Sequence, residues 1–208
     1  MRWRLVDKSG ATIPTSGTYS QWKPQLAIEA GSQCVYCCIP ESKFGGLRNF
    51  HVEHYRPKSI FPTLTNDYGN LFFACGVCNI FKSDDWPSEH QVGRYDVPAY
   101  PDPSKVNYSD FLSVNPRTGM AFSTSFAGNY IIQRLHLNRP QMVGLRAMSA
   151  LFARMDQAHA EIASLIESDA VPAEDIRDVM ALLSDLLKMA RKYSEARPYG
   201  ADQLKAAV

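Results

Sequence analysis

The hydrophobic rhythm of this chain changes three times. Trp22, Leu26, Ile28 and Ala30 recur at spacings that fit a short helix, and Gly31 offers a stop. The residues ahead of them are expected to begin with a short strand that leads into a polar loop. The run Phe50-His51-Val52-Glu53-His54-Tyr55 reads as a strand, and Pro57 ends it. Tyr68-Gly69-Asn70-Leu71 then turns the chain into a second patterned stretch, with a short helix expected to begin near Cys78 or Asn79. Pro87, Pro98, Pro101 and Pro103 mark a linker able to wrap a core, and Ser113–Phe122 predicts two short strands joined by a turn. From Arg139-Pro140 onward the period is helical. Met142, Leu145, Met148, Phe152, Met155, Ile162 and Ile166 carry one run. Pro172 and the acidic pair Glu174 and Asp175 open another, through Ile176, Val179, Leu182, Leu183, Leu186, Leu187 and Ala190 to Tyr193. Those two helices can pair as an antiparallel hairpin or offer a face to a partner.

The pattern is that of an α+β chain in three stretches. Residues 1–30 form an N-terminal strand and short helix, 31–100 a motif-bearing core, and 101–208 a linker, short strands and a helical C-terminal region. With 208 residues, 45% hydrophobic and 21% charged, the chain can build a real core. A net charge of +1 gives no global field for nucleic acid, so any phosphate contact must come from a local patch. No apolar run is long enough to cross a bilayer, and the N-terminus lacks the apolar stretch of a signal peptide, so the expected address is the cytoplasm. In that reducing compartment paired cysteines more often bind metal than form disulfides.

Two Cys-x-x-Cys pairs, Cys34 with Cys37 and Cys75 with Cys78, bracket the segment His51-Val52-Glu53-His54-Tyr55-Arg56-Pro57-Lys58. The two-residue gap lets both sulfurs of one turn reach one ion, and four thiolates close a tetrahedral site; iron would fit, and zinc is the simpler choice. Buried cysteines without metal are the alternative. Cys38 is left over beside a ligand. Glu53 is a hard anionic ligand, Asn79 can offer a carbonyl oxygen, and His54 titrates near neutrality, as a general base should. Neighbours on a strand face opposite ways, so Glu53 and His54 are expected to need a distorted strand end to meet at one phosphate. His51, Arg56, Lys58 and Lys82 are candidate phosphate contacts. A solvated strand, or extra zinc ligands, would account for His51-Val52-Glu53-His54 without catalysis.

The whole string resembles the HNH endonuclease family. That family runs Cys-x-x-Cys, an acid-His at a strand end followed by proline, Asn-Leu, and Cys-x-x-Cys-Asn-x-x-Lys. Here the same order reads Cys34 to Cys37, Glu53-His54-Tyr55-Arg56-Pro57, Asn70-Leu71 and Cys75-Gly76-Val77-Cys78-Asn79-Ile80-Phe81-Lys82. The resemblance implies a zinc-stabilised ββα-metal core that cuts DNA, or RNA, with His54 as general base. It also implies that Glu53 and Asn79 hold a divalent ion, Mg²⁺ or Mn²⁺, and that Asn70 braces the loop carrying His54. Glu53 stands where Asp is common, and Asn79 where His closes the motif in some members. Further on, Asn115-Pro116-Arg117-Thr118-Gly119 and Leu135-His136-Leu137-Asn138 look like the HNH nucleases of Septu and retron anti-phage systems, which implies an antiviral defence effector acting with an ATPase partner. A zinc-stabilised module that binds nucleic acid or protein without cutting is the competing reading. Arg134, Arg139 and Arg146 suggest either an extension of a nucleic-acid track or a solvated face, and the Met142–Met155 stripe and the three tryptophans suggest packing.

Overall fold

The computed structural model describes residues 2–10, 17–87, 94–167 and 173–194. It is a mixed helix and strand fold. A strand β1, Phe50–His54, pairs antiparallel with β2, Leu71–Cys75, in the register Phe50 to Cys75 and His54 to Leu71. Every side chain of β2 is buried. Phe50 and Phe73, diagonal neighbours on one face, stack at 4.4 Å between centroids. Helix α1, Lys23–Glu29, packs on β2 and buries Leu26 and Ala27. Pro24 lies in its first turn, where no intrahelical N–H is needed. Trp22, Leu26 and Ala30 fall on the inward stripe at four-residue steps; Ile28 falls off it and is exposed.

Helix α2 spans Gly76–Lys82, two or three residues earlier than expected. The reason is the sulfur of Cys75, which accepts from the backbone N–H of Cys78 and caps the helix, so the Cys-x-x-Cys turn is itself the first turn. Among the described residues no strand forms near the N-terminus. Arg2–Lys8 runs extended beside the core, held by Val6 N–H to Pro103 O at 2.9 Å and by the Trp3 indole N–H to Tyr36 O at 2.7 Å. The proline-rich segment packs rather than floats: Ala99, Tyr100, Tyr108 and Leu112 are buried, and Tyr55 donates to Tyr100 O at 2.6 Å. Trp86 sits edge-on to Tyr55 at 5.2 Å.

The short strands β3, Ser113–Val114, and β4, Ala121–Phe122, pair as expected. Asn138 clasps β4 by accepting from Ala121 N–H at 2.7 Å and donating to Ala121 O at 2.8 Å. Helix α3, Phe126–Arg134, had no counterpart among the expected elements. Ser125 caps it by accepting from Gly128 N–H at 3.0 Å. Gly128, which weakens the helical signal in the sequence, is needed small: a Cβ there would lie 2.1 Å from Ser123 Oγ.

The chain divides into two compact units, one comprising residues 1–115 and 120–143, the other 116–119 and 144–208. In the first unit, Trp3, Val6, Trp22, Leu26, Ala27 and Ala30 are buried in the core together with residues of the motif-bearing region. The second holds most of helix α4, Pro140–Glu167, and helix α5, Ala173–Ser194. These two helices pack on each other through Leu151, Ala158 and Leu186, with Met148, Leu182, Met189 and Ala190 around them. The methionine stripe divides: Met142 and Met148 pack, while Met155 and the intervening Phe152 are exposed. Pro172 lies outside the described residues. No helix among the described residues is long and apolar enough to cross a membrane.

The stacked pair at the centre of the hairpin sets a stability test. Phe73→Ala removes a fully buried ring from a two-stranded sheet with little room to collapse, and should cost about 3–5 kcal/mol. Denaturant titration of the variant should show the midpoint falling accordingly.

Candidate functional site

Two centres lie in the first unit. The first is made by the cysteine turns. Cys34 N–H donates to Ile39 O at 3.0 Å and Cys38 N–H returns to Cys34 O at 2.9 Å, folding residues 34–39 into a tight knuckle. Cys38 takes a left-handed backbone, φ 61°, at the exit of that knuckle. The cap of α2 presents Cys75 and Cys78 from the other side. All four sulfurs lie within 4.8 Å of one another, are wholly buried, and form no disulfide. Cys37 and Cys75 sulfurs are 3.7 Å apart. Zn–S bonds of about 2.3 Å make a tetrahedral edge of roughly 3.8 Å, so the donor set and its spacing fit a zinc ion. Cys38 is not one of the four.

A cation reaches this centre from far along the chain. Arg139 places its guanidinium 3.3 Å from Cys37 Sγ and 3.8 Å from Cys78 Sγ. Neither a nucleic-acid track nor a solvated face describes it. Nor does either describe Arg146, which is buried in the second unit with a guanidinium N–H 3.5 Å from Gly119 O. Arg134 pairs with Asp85 at 3.2 Å.

The second centre is a cleft of about 650 Å³ along β1. A two-stranded sheet leaves one edge of β1 without a strand neighbour, and all five β1 residues line the cleft. This removes the need for a distorted strand end. The register is regular through His54, and Glu53 and His54 reach the cleft from opposite faces of one edge strand. Asn79 enters from the first turns of α2 and donates its amide N–H to His51 Nδ1 at 3.2 Å. No motif marks Tyr19, Ser20 and Lys23, which wall the cleft from the N-terminal segment, or Ser83 and Asp84 beyond α2. Tyr19 N–H donates to Asn66 Oδ1 at 3.0 Å, and the Tyr19 ring meets the His54 ring edge-on at 4.7 Å. Lys58 donates to Tyr19 Oη at 3.1 Å. Such long-range pairings leave no local signature in the chain.

His54 is nearly buried, and its Nε2 lies 3.0 Å from Thr65 O. A carbonyl only accepts, so Nε2 carries the proton and Nδ1 keeps a lone pair. Burial pushes this imidazole below its ordinary value; the Thr65 bond pulls the other way, and the charges of Lys58 and Lys82 add to the lowering. Asn70 is fully engaged: Oδ1 accepts from Arg56 N–H at 2.8 Å, and Nδ2 donates to Arg56 O at 3.0 Å and Leu64 O at 3.2 Å. It thereby ties both ends of the loop that supplies Thr65.

Glu53 is buried and salt-bridged. Lys82 Nζ lies 2.7 Å from its Oε1 and also donates to His54 O at 2.9 Å, while Tyr36 Oη donates to the same Oε1 at 3.2 Å. Burial pushes the Glu53 carboxyl up; Lys82 and Tyr36 hold it down. Lys82 has no exposed surface, so it is a buried counter-ion and not the phosphate contact the sequence suggested. Arg56 lines a smaller polar recess with Asp102 and Lys105, away from the cleft; of the expected basic contacts, Lys58 and His51 face it.

Two substitutions probe these centres. Asn70→Asp keeps the shape but sets a carboxylate against two carbonyl oxygens, and should cost at least about 1–3 kcal/mol in thermal or denaturant unfolding. Cys75→Ser removes a thiolate ligand while leaving a hydroxyl that can still cap α2; metal content measured by mass spectrometry should fall and the melting temperature drop.

Residues 34–85 match the family model described as HNH endonuclease. No curated protein and no solved structure matches the chain. The matched segment contains both cysteine pairs, β1, β2 and α2, and supports an HNH domain there; Tyr19, Lys23 and Arg139 lie outside it.

Proposed function

We propose that this chain is a metal-dependent HNH endonuclease that hydrolyses phosphodiester bonds in DNA or RNA. The observation that carries the reading is the state of His54: its Nε2–H is spent on Thr65 O, its Nδ1 is available to accept a proton, and it shares a cleft with Glu53 and Asn79. His54 acts as general base, taking a proton from the attacking water. Glu53 and Asn79 hold a Mg²⁺ or Mn²⁺ ion, which neutralises charge on the phosphate and on the leaving oxygen. Asn70 fixes the loop against which His54 is oriented, and Lys58 and His51 face the phosphates of the substrate. The four cysteines hold zinc as a structural ion.

The finer setting belongs to the same proposal. The segments Asn115–Gly119 and Leu135–Asn138 support a nuclease of the Septu and retron type, a cytoplasmic defence effector working with an ATPase partner. A net charge of +1 fits an enzyme whose hold on nucleic acid is supplemented by a partner.

The test uses zinc-loaded full-length protein with supercoiled plasmid, single-stranded DNA and RNA, with and without an ATPase partner. Cleavage should require Mg²⁺ or Mn²⁺, stop with EDTA, and vanish in His54→Ala while zinc content stays unchanged and the variant remains folded. A well-folded wild-type protein that cuts none of these would leave a binding module in place of an enzyme. The rate should also carry an acid limb. A histidine held below its ordinary value stays unprotonated to lower pH, so activity should be lost as pH falls, with its midpoint below the ordinary 6.5. A midpoint above that value would remove His54 as the base.

A further inference from the structure

The four-cysteine centre has an outer partner that lies well beyond the motif. Arg139 precedes the first residue of α4, 61 positions after Cys78 and 102 after Cys37. The two arms of its guanidinium do different things. Nη1 donates to Leu135 O at 3.4 Å and His136 O at 3.3 Å, closing the end of α3, and lies 3.8 Å from Cys78 Sγ. Nη2 meets only sulfur: Cys37 at 3.3 Å, Cys78 at 3.8 Å and Cys75 at 4.0 Å. If Arg139 served only to cap α3, one arm would suffice, and the other would not need to face three cysteines.

Charge explains the second arm. Four thiolates around a divalent ion leave two net negative charges, and here all four sulfurs are sealed from water. A buried anion without a counter-charge is costly, and hydrogen bonds from a cationic donor are the strongest that sulfur can receive. Such bonds also draw electron density from the sulfur lone pairs, which makes the thiolates poorer nucleophiles and poorer targets for a competing electrophile. Groups that hold a metal's ligands from outside commonly matter tenfold to a hundredfold in metal affinity.

We infer that Arg139 is a positioning residue for the cysteine-bound metal: its Nη2 arm hydrogen-bonds the thiolates, halves the buried charge of the centre, and keeps the ion from exchanging. The centre is thereby completed by the chain beyond residue 85, so the metal's retention depends on the α3–α4 junction as well as on the two cysteine turns. The inference rests on the cysteine cluster being a metal site and is independent of any cleavage activity.

The experiment compares wild type, Arg139→Gln and Arg139→Lys as full-length proteins. One reading is the rate of zinc transfer to a chromogenic chelator. The other is the sulfur-to-metal charge-transfer band of the cobalt-substituted protein. Arg139→Gln should release zinc about tenfold faster or more. Its band should move to longer wavelength, because a thiolate that loses a donor holds its lone pairs at higher energy. Arg139→Lys, which keeps the charge but not the fork, should fall between. Should Arg139→Gln fail to fold, Arg139→Lys decides by the same two readings. An unmoved band overturns the inference even if release quickens, since a helix-end role alone would loosen the fold without touching the sulfurs. Wild-type protein that binds neither zinc nor cobalt would instead remove the metal reading of the cysteines, a separate failure.

Discussion

The convergence of four buried sulfurs is the constraint on which the rest of the first unit depends. Two turns some forty residues apart must meet at one point, and the segment between them can do so only by folding back on itself. That return is the β1–β2 hairpin. The cap of α2 is one of the same sulfurs, so the centre sets where the helix starts, and the start of the helix sets where Asn79 and Lys82 project. A bound ion would strengthen this arrangement beyond the preference of a small core, because binding free energy at such a site is also folding free energy.

A buried ion pair fixes the second layer. Lys82 and Glu53 sit together with almost no water, and Tyr36, one residue before Cys37, donates to the same carboxylate oxygen. Removing either charge alone would strand the other, a loss of about 3–5 kcal/mol in comparable sites. The pair also fastens β1 to α2. Lys82 bonds the backbone oxygen of His54 while neutralising Glu53, so one ammonium ties the helix to two neighbouring residues of the strand.

The sequence was most legible where chemistry constrains spacing. The cysteine pairs, the β1 strand and the Asn-Leu turn each have few physical readings, and the structure brings those residues together. It was least legible where the deciding contact lies far along the chain. Lys82 looks like an exposed cation until its depth is known, and Arg139 looks like a surface residue until the sulfurs are placed beside it. Tyr19 and Lys23 carry no motif at all, and they join the cleft only because Asn66 and Lys58 hold the N-terminal segment across it. Helix α3 was hidden by Gly128, whose smallness serves packing against Ser123 and reads locally as a helix breaker.

The two centres differ in what they can do with a metal. The cysteine site offers four soft donors, complete enclosure and a cationic neighbour, a combination suited to an ion that stays. The cleft offers hard donors, and its carboxylate is already half-claimed: Lys82 and Tyr36 both occupy Oε1 of Glu53. An ion at Glu53 and Asn79 would meet a partly neutralised ligand and an amide oxygen, in an open groove, beside a lysine of like charge. Such a site would bind weakly by itself and would gain its missing ligands from a substrate's phosphate oxygens. On the proposed reading, the ion and the nucleic acid would each complete the other's site. The chain would then have one metal for its fold and another recruited only when there is a bond to cut.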